Sequence, residues 1–391
     1  MSTEISQDLS EVVPIPYVEG DYLQLEIIQN YQDIPFPRVT QVYIIRVLDI
    51  TMSSVMRVHF FPDSGRRIEA VLKLYDRRFG VDLRGNGYLT KHWPFTVEKE
   101  ALFESFVRSD AIEPFLTKLS QDQDKAMMTI TPQDFLYDHD EDGRDSDDED
   151  EGDDGDNGDT GDDGVDKRLK YEAALWQQCE DMFTREVKAY EHLKDFQGTG
   201  IPRLLASVRL VGTSSIIPSD LINKPTAKYW DVKGILLQFI PGINLINLGS
   251  SSIDVKEWEP LVQRSVDLAH EINKSGLVMK DCSPRNLIID RQSQQPFMID
   301  FAQCWLKHEM KIYWGPSSES DDEEEEKEEN EKKDFILEDE YWYRAGSDDN
   351  PGAIGATMAD RLKGERGVEI KIQYLNTEKL MVRPQDYYPE P

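Results

Sequence analysis

The chain has 391 residues, enough for two lobes or domains with sizeable cores, and a formal net charge of −32. That charge is concentrated. The run from Asp138 to Asp166 carries 17 acidic residues against one Arg, and the run from Glu319 to Asp334 carries 11 against three Lys. The remainder is only modestly acidic, and no basic face argues for nucleic acid.

Three scattered cysteines, Cys179, Cys282 and Cys304, form neither a metal motif nor a disulfide framework, which fits a reducing compartment. The start lacks a basic segment followed by an apolar one, and no run approaches the roughly 18 apolar residues of a membrane helix. The expectation is an intracellular protein, cytoplasmic or nuclear, with no membrane partner.

Residues 1–40 are polar and proline-punctuated and read as an extended N-terminal arm. From Val42-Tyr-Ile-Ile-Arg-Val-Leu48 through Val55-Met-Arg-Val-His-Phe-Phe61 to Ile68-Glu-Ala-Val-Leu-Lys-Leu-Tyr75, β-rich runs alternate with turn residues, which predicts an antiparallel meander. An amphipathic segment over Val97–Val107 predicts a helix. The first acidic run follows (insertion 137–167). Self-repelling charge with nothing to bury predicts disorder there and in the second run, 317–334. Asp138–Glu149 fits the calcium-loop pattern formally, but Asp145 stands where an apolar residue belongs, so a solvated linker is the better reading. Ser146, Ser318 and Ser320 have acidic residues three positions on and are expected sites for acidophilic protein kinases.

Between Lys167 and Phe196 the periodicity turns helical, with Phe183, Val187, Tyr190 and Leu193 on one face. Gly234–Leu245 reads as a buried strand ending in Pro-Gly. Asp254–Ser275 reads as a helix capped by Asp254 and stopped by Gly276, with Pro260 its weak point. A further helix is expected over Ala353–Lys363 and a short strand over Val368–Tyr374.

The chain centres on Leu277-Val-Met-Lys-Asp-Cys-Ser-Pro-Arg-Asn-Leu-Ile-Ile-Asp290 and Met298-Ile-Asp-Phe-Ala302. Asp281, an amide at Asn286, two short strands and Asp300 form a spacing suited to phosphoryl transfer from a magnesium nucleotide. One carboxylate orients and deprotonates a hydroxyl, while an amide and a second carboxylate hold metal on the phosphates.

This stretch resembles the catalytic loop and metal-binding Asp-Phe-Gly of the protein kinase superfamily. Its Asp-x-x-Pro-x-Asn form is also similar to aminoglycoside phosphotransferases, and the acidic insertions to divergent fungal kinase-like proteins. The likeness covers roughly residues 40–305. It implies an α+β, bilobal protein-kinase-like fold: a small antiparallel β-sheet lobe over 41–240, then a reduced, mainly helical lobe over 241–391. It implies ATP and magnesium as cofactors and a hydroxyl acceptor, either protein Ser/Thr or a small molecule. Asp281 would be the base, Asn286 and Asp300 the metal ligands, and Lys73 the phosphate-ordering lysine. Glu186 would pair with that lysine, in preference to Glu191 or Glu98. Gln238 to Ile240 would hold adenine. A basic protein would suit the acidic runs.

Four departures point to the alternative, an inactive pseudokinase serving as a binding module. The turn Ile50-Thr-Met-Ser-Ser54 has no glycine, leaving only the amides of Ser53 and Ser54 to approach phosphate. The His-Arg before the catalytic Asp is Met279-Lys280, the following lysine is Ser283 (with Lys280 and Arg285 as nearby cations), and the terminal glycine is Ala302.

Overall fold

The computed structural model describes residues 12–85, 93–125, 130–136, 162–212, 218–310 and 337–375. Both acidic runs, the calcium-loop match and the three candidate phosphoserines lie outside these residues, apart from 162–166 at the C-terminal end of the first run, which are helical although they fall in the stretch expected to be disordered. The chain divides into two compact units, Met1–Phe183 with Leu205–Leu237, and Thr184–Leu204 with Gln238–Pro391.

In the first unit, six strands close into a barrel: β1 (Tyr22–Asn30), β2 (Val39–Ile50), β3 (Ser54–Phe60), β4 (Ile68–Tyr75), β5 (Leu204–Val211) and β6 (Lys233–Gln238), in the order β1-β2-β3-β4-β6-β5. Alternation sends Val42, Ile44, Met56, Val58, Phe60, Ala70, Leu72 and Leu74 into one apolar core. The expected arm is therefore corrected. Its Tyr22–Asn30 segment is β1, antiparallel to both β2 and β5, and Tyr17 is buried with its hydroxyl donating to Asp76 at 2.6 Å. The second partnership turns the expected open meander into a barrel.

Three helices complete this unit: α1 (Val97–Arg108), α2 (Ile112–Lys125) and the part of α3 (Asp162–His192) up to Phe183. Thr96 caps α1 by accepting from the Lys99 amide. Phe103 and Phe106 of α1, Leu116 of α2 and Ala173 of α3 share a core with Tyr229 and Trp230. Beneath them, Arg77, Arg84 and Glu172 are buried together. Arg77 Nη1 and Arg84 Nη1 reach Glu172 Oε2 at 2.9 and 3.1 Å, and Arg84 Nη2 also bonds Oε1. Burial opposes ionisation of Glu172, but the two guanidiniums win and hold its carboxyl below the usual range.

The second unit is built on α4 (Trp258–Lys274), which packs against α6 (Asn350–Arg366). β7 (Gly242–Asn244) precedes α4, and between the two helices in sequence come β8 (Leu277–Met279), β9 (Leu287–Asp290), β10 (Pro296–Met298), β11 (Cys304–Leu306) and helix α5 (337–348). β10-β9-β7 form one small sheet and β11-β8 another. Asp254 caps a single 3-10 turn, Val255–Glu257, rather than the α-helix, and Pro260 falls in the first turn of α4, where no donor is needed. Gly276 ends α4 at φ +94°.

The expected strand at Val368–Tyr374 is not one. That segment runs extended, and α4 side chains replace a strand partner. Lys371 N–H donates to Glu259, Gln373 exchanges two hydrogen bonds with Gln263, and Leu375 N–H donates to His270 Nε2.

Candidate active site

The second unit assembles Asp281, Asn286 and Asp300 through short-range backbone pairing. β8 delivers the chain to Asp281, and the antiparallel partnership of Met279 with Cys304 brings the segment beyond Asp300 alongside. Lys280 N–H donates to Gln303 C=O at 3.0 Å, and Ile299 N–H to Asn286 C=O at 2.9 Å. The residue before Asp281 is thus tied to the far side of Asp300, and the residue before Asp300 to Asn286. Asp281 and Asp300 are both exposed, between strands whose apolar residues are buried.

Two details bear on chemistry. The Asn286 Nδ2 donates to the Asp281 carbonyl at 2.7 Å, which engages the donor end of that amide and leaves Oδ1 as its acceptor end. Asp300 sits at φ +66°, a left-handed conformation costly for a residue with a Cβ, and such strain clusters at functional sites. The oxygens of Asn286 and Asp300 make a hard donor set of the kind that holds magnesium together with substrate phosphates. No group of three or more His, Cys, Asp or Glu among the described residues forms a self-sufficient metal cage.

Behind the loop, Glu186 is 0 % exposed and its Oε1 accepts the Phe301 N–H at 3.2 Å, whereas Glu191 and Glu98 are exposed. Tyr190 meets Phe301 edge to face at 5.4 Å, and its phenol is pushed well up by burial, then by Glu186 and Asp300. Lys280 places its ammonium 3.7 Å from the Trp305 ring centroid, with the Arg344 guanidinium 4.6 Å from the same ring. Burial lowers the Lys280 pKa, helped by Arg185 and Arg344. Of the two cations near Ser283, Lys280 is thus engaged with an aromatic partner, while the Arg285 side chain is exposed.

Sequence reasoning missed Asn350. Its side-chain amide accepts the Met279 N–H at 3.0 Å and donates to the Met279 C=O at 2.7 Å, with Asn350 only 2 % exposed. This clamp, from the first residue of α6, braces the position where the resemblance expects a histidine. Pro351 after Asp349 and Asn350 signals a helix start, but nothing local in the sequence says what Asn350 holds.

The remaining candidates are described within their own units. Lys73 lies on β4, directly opposite Val55 of β3, 5 % exposed with its ammonium 5.5 Å from the Tyr75 ring centroid. Gln238, where β6 ends, spends its N–H on the Arg203 carbonyl and accepts the Arg203 N–H with its side chain, and Ile240 is buried. The glycine-free turn departs from expectation. Ser53 and Ser54 are 4 % and 1 % exposed, and the segment after β4 lies against the turn, Val81 and Asp82 donating to the carbonyls of Ile50 and Thr51. A Cβ on Gly80 would sit 2.9 Å from the Thr51 oxygen, so glycine is required for that approach. The two serines expected to meet phosphate are covered.

Among the described residues, no helix is long and apolar enough to cross a membrane. No family model matches the chain, and no curated protein matches it. Among solved structures it is similar to the kinase domain of PknI from Mycobacterium tuberculosis, at a TM-score of 0.29 and 11 % identity, covering 83 % of this chain and 81 % of that one. It is also similar to the bifunctional kinase-methyltransferase WbdD, at 0.23 and 15 % over 50 % of this chain, and to WbdD bound to a kinase inhibitor, at 0.27 and 13 % over 88 %. The matches span 39 % and 54 % of those two WbdD chains. At TM-scores this low the likeness bears no weight, and the functional reading rests on the chain's own residues.

Proposed function

We propose that this chain is an ATP- and magnesium-dependent phosphotransferase of the protein-kinase-like type, transferring a γ-phosphoryl group to a hydroxyl of a protein Ser/Thr or a small molecule. The observation that carries the reading is the loop in which the Asn286 amide is anchored on the Asp281 carbonyl beside a left-handed Asp300. Asp281 orients the acceptor hydroxyl and takes its proton. Asn286 and Asp300 offer oxygens to magnesium, which when bound would neutralise phosphate charge. Glu186 holds the chain after Asp300 through Phe301 N–H, and Lys73 keeps its phosphate-ordering role.

A thermal-shift titration with ATP, with and without magnesium, tests this on wild type and Asp300→Asn. A ligand binding only the native state at a hundredfold its Kd stabilises by about 2.7 kcal/mol. Magnesium-dependent stabilisation that disappears in Asp300→Asn is expected. No shift at millimolar ATP favours the second reading, a binding module without transfer activity, to which the covered Ser53-Ser54 turn already points.

A further inference from the structure

The second unit contains a cavity of about 300 Å³ between α4, α5, the start of α6 and the extended segment ending at Leu375. Small residues keep it open: Ala345 and Gly346 on α5, Gly352 and Ala356 on α6. A volume of this order is at the lower end of small-molecule sites.

Its polar lining includes two acceptors suited to a donor ligand. Asn273 lines the cavity at 2 % exposure, and its Oδ1 has no hydrogen-bond partner among the described residues, an acceptor left unsatisfied. Asp349 lines it at φ +38° and is the N-cap of α6, its Oδ1 accepting the Gly352 N–H at 3.1 Å, while a Cβ on Gly352 would fall 1.8 Å from the other oxygen, Oδ2. His270 accepts the Leu375 N–H at Nε2, and burial lowers its pKa. Among the described residues, no lysine or arginine lines the cavity, whereas Tyr374, Pro351 and Leu375 give it apolar wall. Asp349 and Asp360 both push the Tyr374 phenol upward, after burial, as negative neighbours do.

We propose that this cavity binds a small organic primary amine in its ammonium form, with Asp349 as counter-ion and Asn273 Oδ1 as a further acceptor. An ammonium supplies donors to both the Asp349 carboxylate and the unsatisfied Asn273 Oδ1, and a short apolar body suits the Tyr374 wall. The site is also wired to the catalytic loop: the residue after Asp349 is Asn350, whose amide clamps Met279 two positions before Asp281. Occupancy therefore tightens the loop, a regulatory consequence that rests on the proposed function, while the binding itself does not.

The test is calorimetric titration of the full chain, without nucleotide, using 2-phenylethylammonium chloride, with phenylacetate and 2-phenylethanol as same-shape anionic and neutral controls. The expected result is a Kd on the order of 1 mM or tighter for the cation and at least roughly tenfold weaker binding of both controls. Asp349→Asn should also weaken the cation at least roughly tenfold. Asparagine remains a good N-cap and tolerates the left-handed conformation, so this variant keeps the fold. Amide exchange at Met279 should slow when the cation binds. Equal binding of cation and alcohol, undiminished binding by Asp349→Asn, or no saturable heat from the cation overturns the site. Unchanged Met279 exchange overturns the coupling. An amine response without any magnesium-ATP response would remove the phosphotransferase reading and leave the site standing.

Discussion

The Asn350 clamp makes a quantitative prediction. Met279 and Asn350 are both almost fully buried, and the two hydrogen bonds of 3.0 and 2.7 Å satisfy one donor and one acceptor of the main chain just ahead of Asp281. Asn350→Ala removes both partners at once. Each buried backbone group left unpaired costs about 1–3 kcal/mol, so the pair should cost about 2–4 kcal/mol, since partial relaxation recovers some of the sum. Asn350→Asp is the informative companion. Its carboxylate still accepts the Met279 N–H but cannot donate to the Met279 carbonyl and places like charge beside it, so it should fall between wild type and alanine or below both. Urea unfolding followed by tryptophan fluorescence gives the free energies, and hydrogen exchange at the Met279 amide localises the loss. A cost below about 0.5 kcal/mol for Asn350→Ala, or Asn350→Asp equal to wild type, would refute the argument, because neither is compatible with two desolvated, orphaned groups.

Two further outcomes follow from the first unit. Glu172→Gln leaves Arg84 buried without its carboxylate partner and Arg77 with Glu100 alone, and should cost about 3–5 kcal/mol in the same unfolding assay, and a loss under about 1 kcal/mol would show the cluster to be hydrated. Lys99, whose ammonium donates to the Pro94 carbonyl, has its pKa lowered to about 8 by burial and then by Arg84. Between that value and the ordinary 10.5 the unfolded chain binds the extra proton, so stability due to Lys99 is present above 10.5 and is lost as pH falls through the lower value. The stability of wild type relative to Lys99→Met should therefore rise across this window, and a flat difference would contradict the burial of the ammonium.

Local signals made much of this legible. The alternation in 42–75 produced β2, β3 and β4, and the period in 167–196 found the face of α3 that carries Tyr190. The Asp281 loop was readable because the spacing of Asp281, Asn286 and Asp300 is itself local. What failed was non-local. β1 was hidden because Tyr22-Leu-Gln-Leu-Glu-Ile-Ile lies near prolines and is made a strand by partners both near and about 180 residues away. α2 was hidden by Pro114, harmless in a first turn. The tail after Gly367 has strand-like composition, yet its partners are side chains of α4, which no period reveals. Ser53 and Ser54 lay in a turn whose cover comes from residues beyond the next strand.

Closure of the barrel has a consequence for the chain's synthesis. Ile27 pairs with Val208, so a ribosome adding 5–20 residues per second delivers the second partner of β1 roughly 9–36 s after β1 itself. Until then β1 to β4 can pair only with one another, and this four-stranded ribbon offers an open edge on each side, a template for neighbouring nascent chains. After α1 and α2, the acidic run from Asp138 to Asp166 also emerges before β5 does. Tethered to the unfinished sheet, its charge repels the same run on a neighbouring nascent chain during the interval when those edges are unprotected.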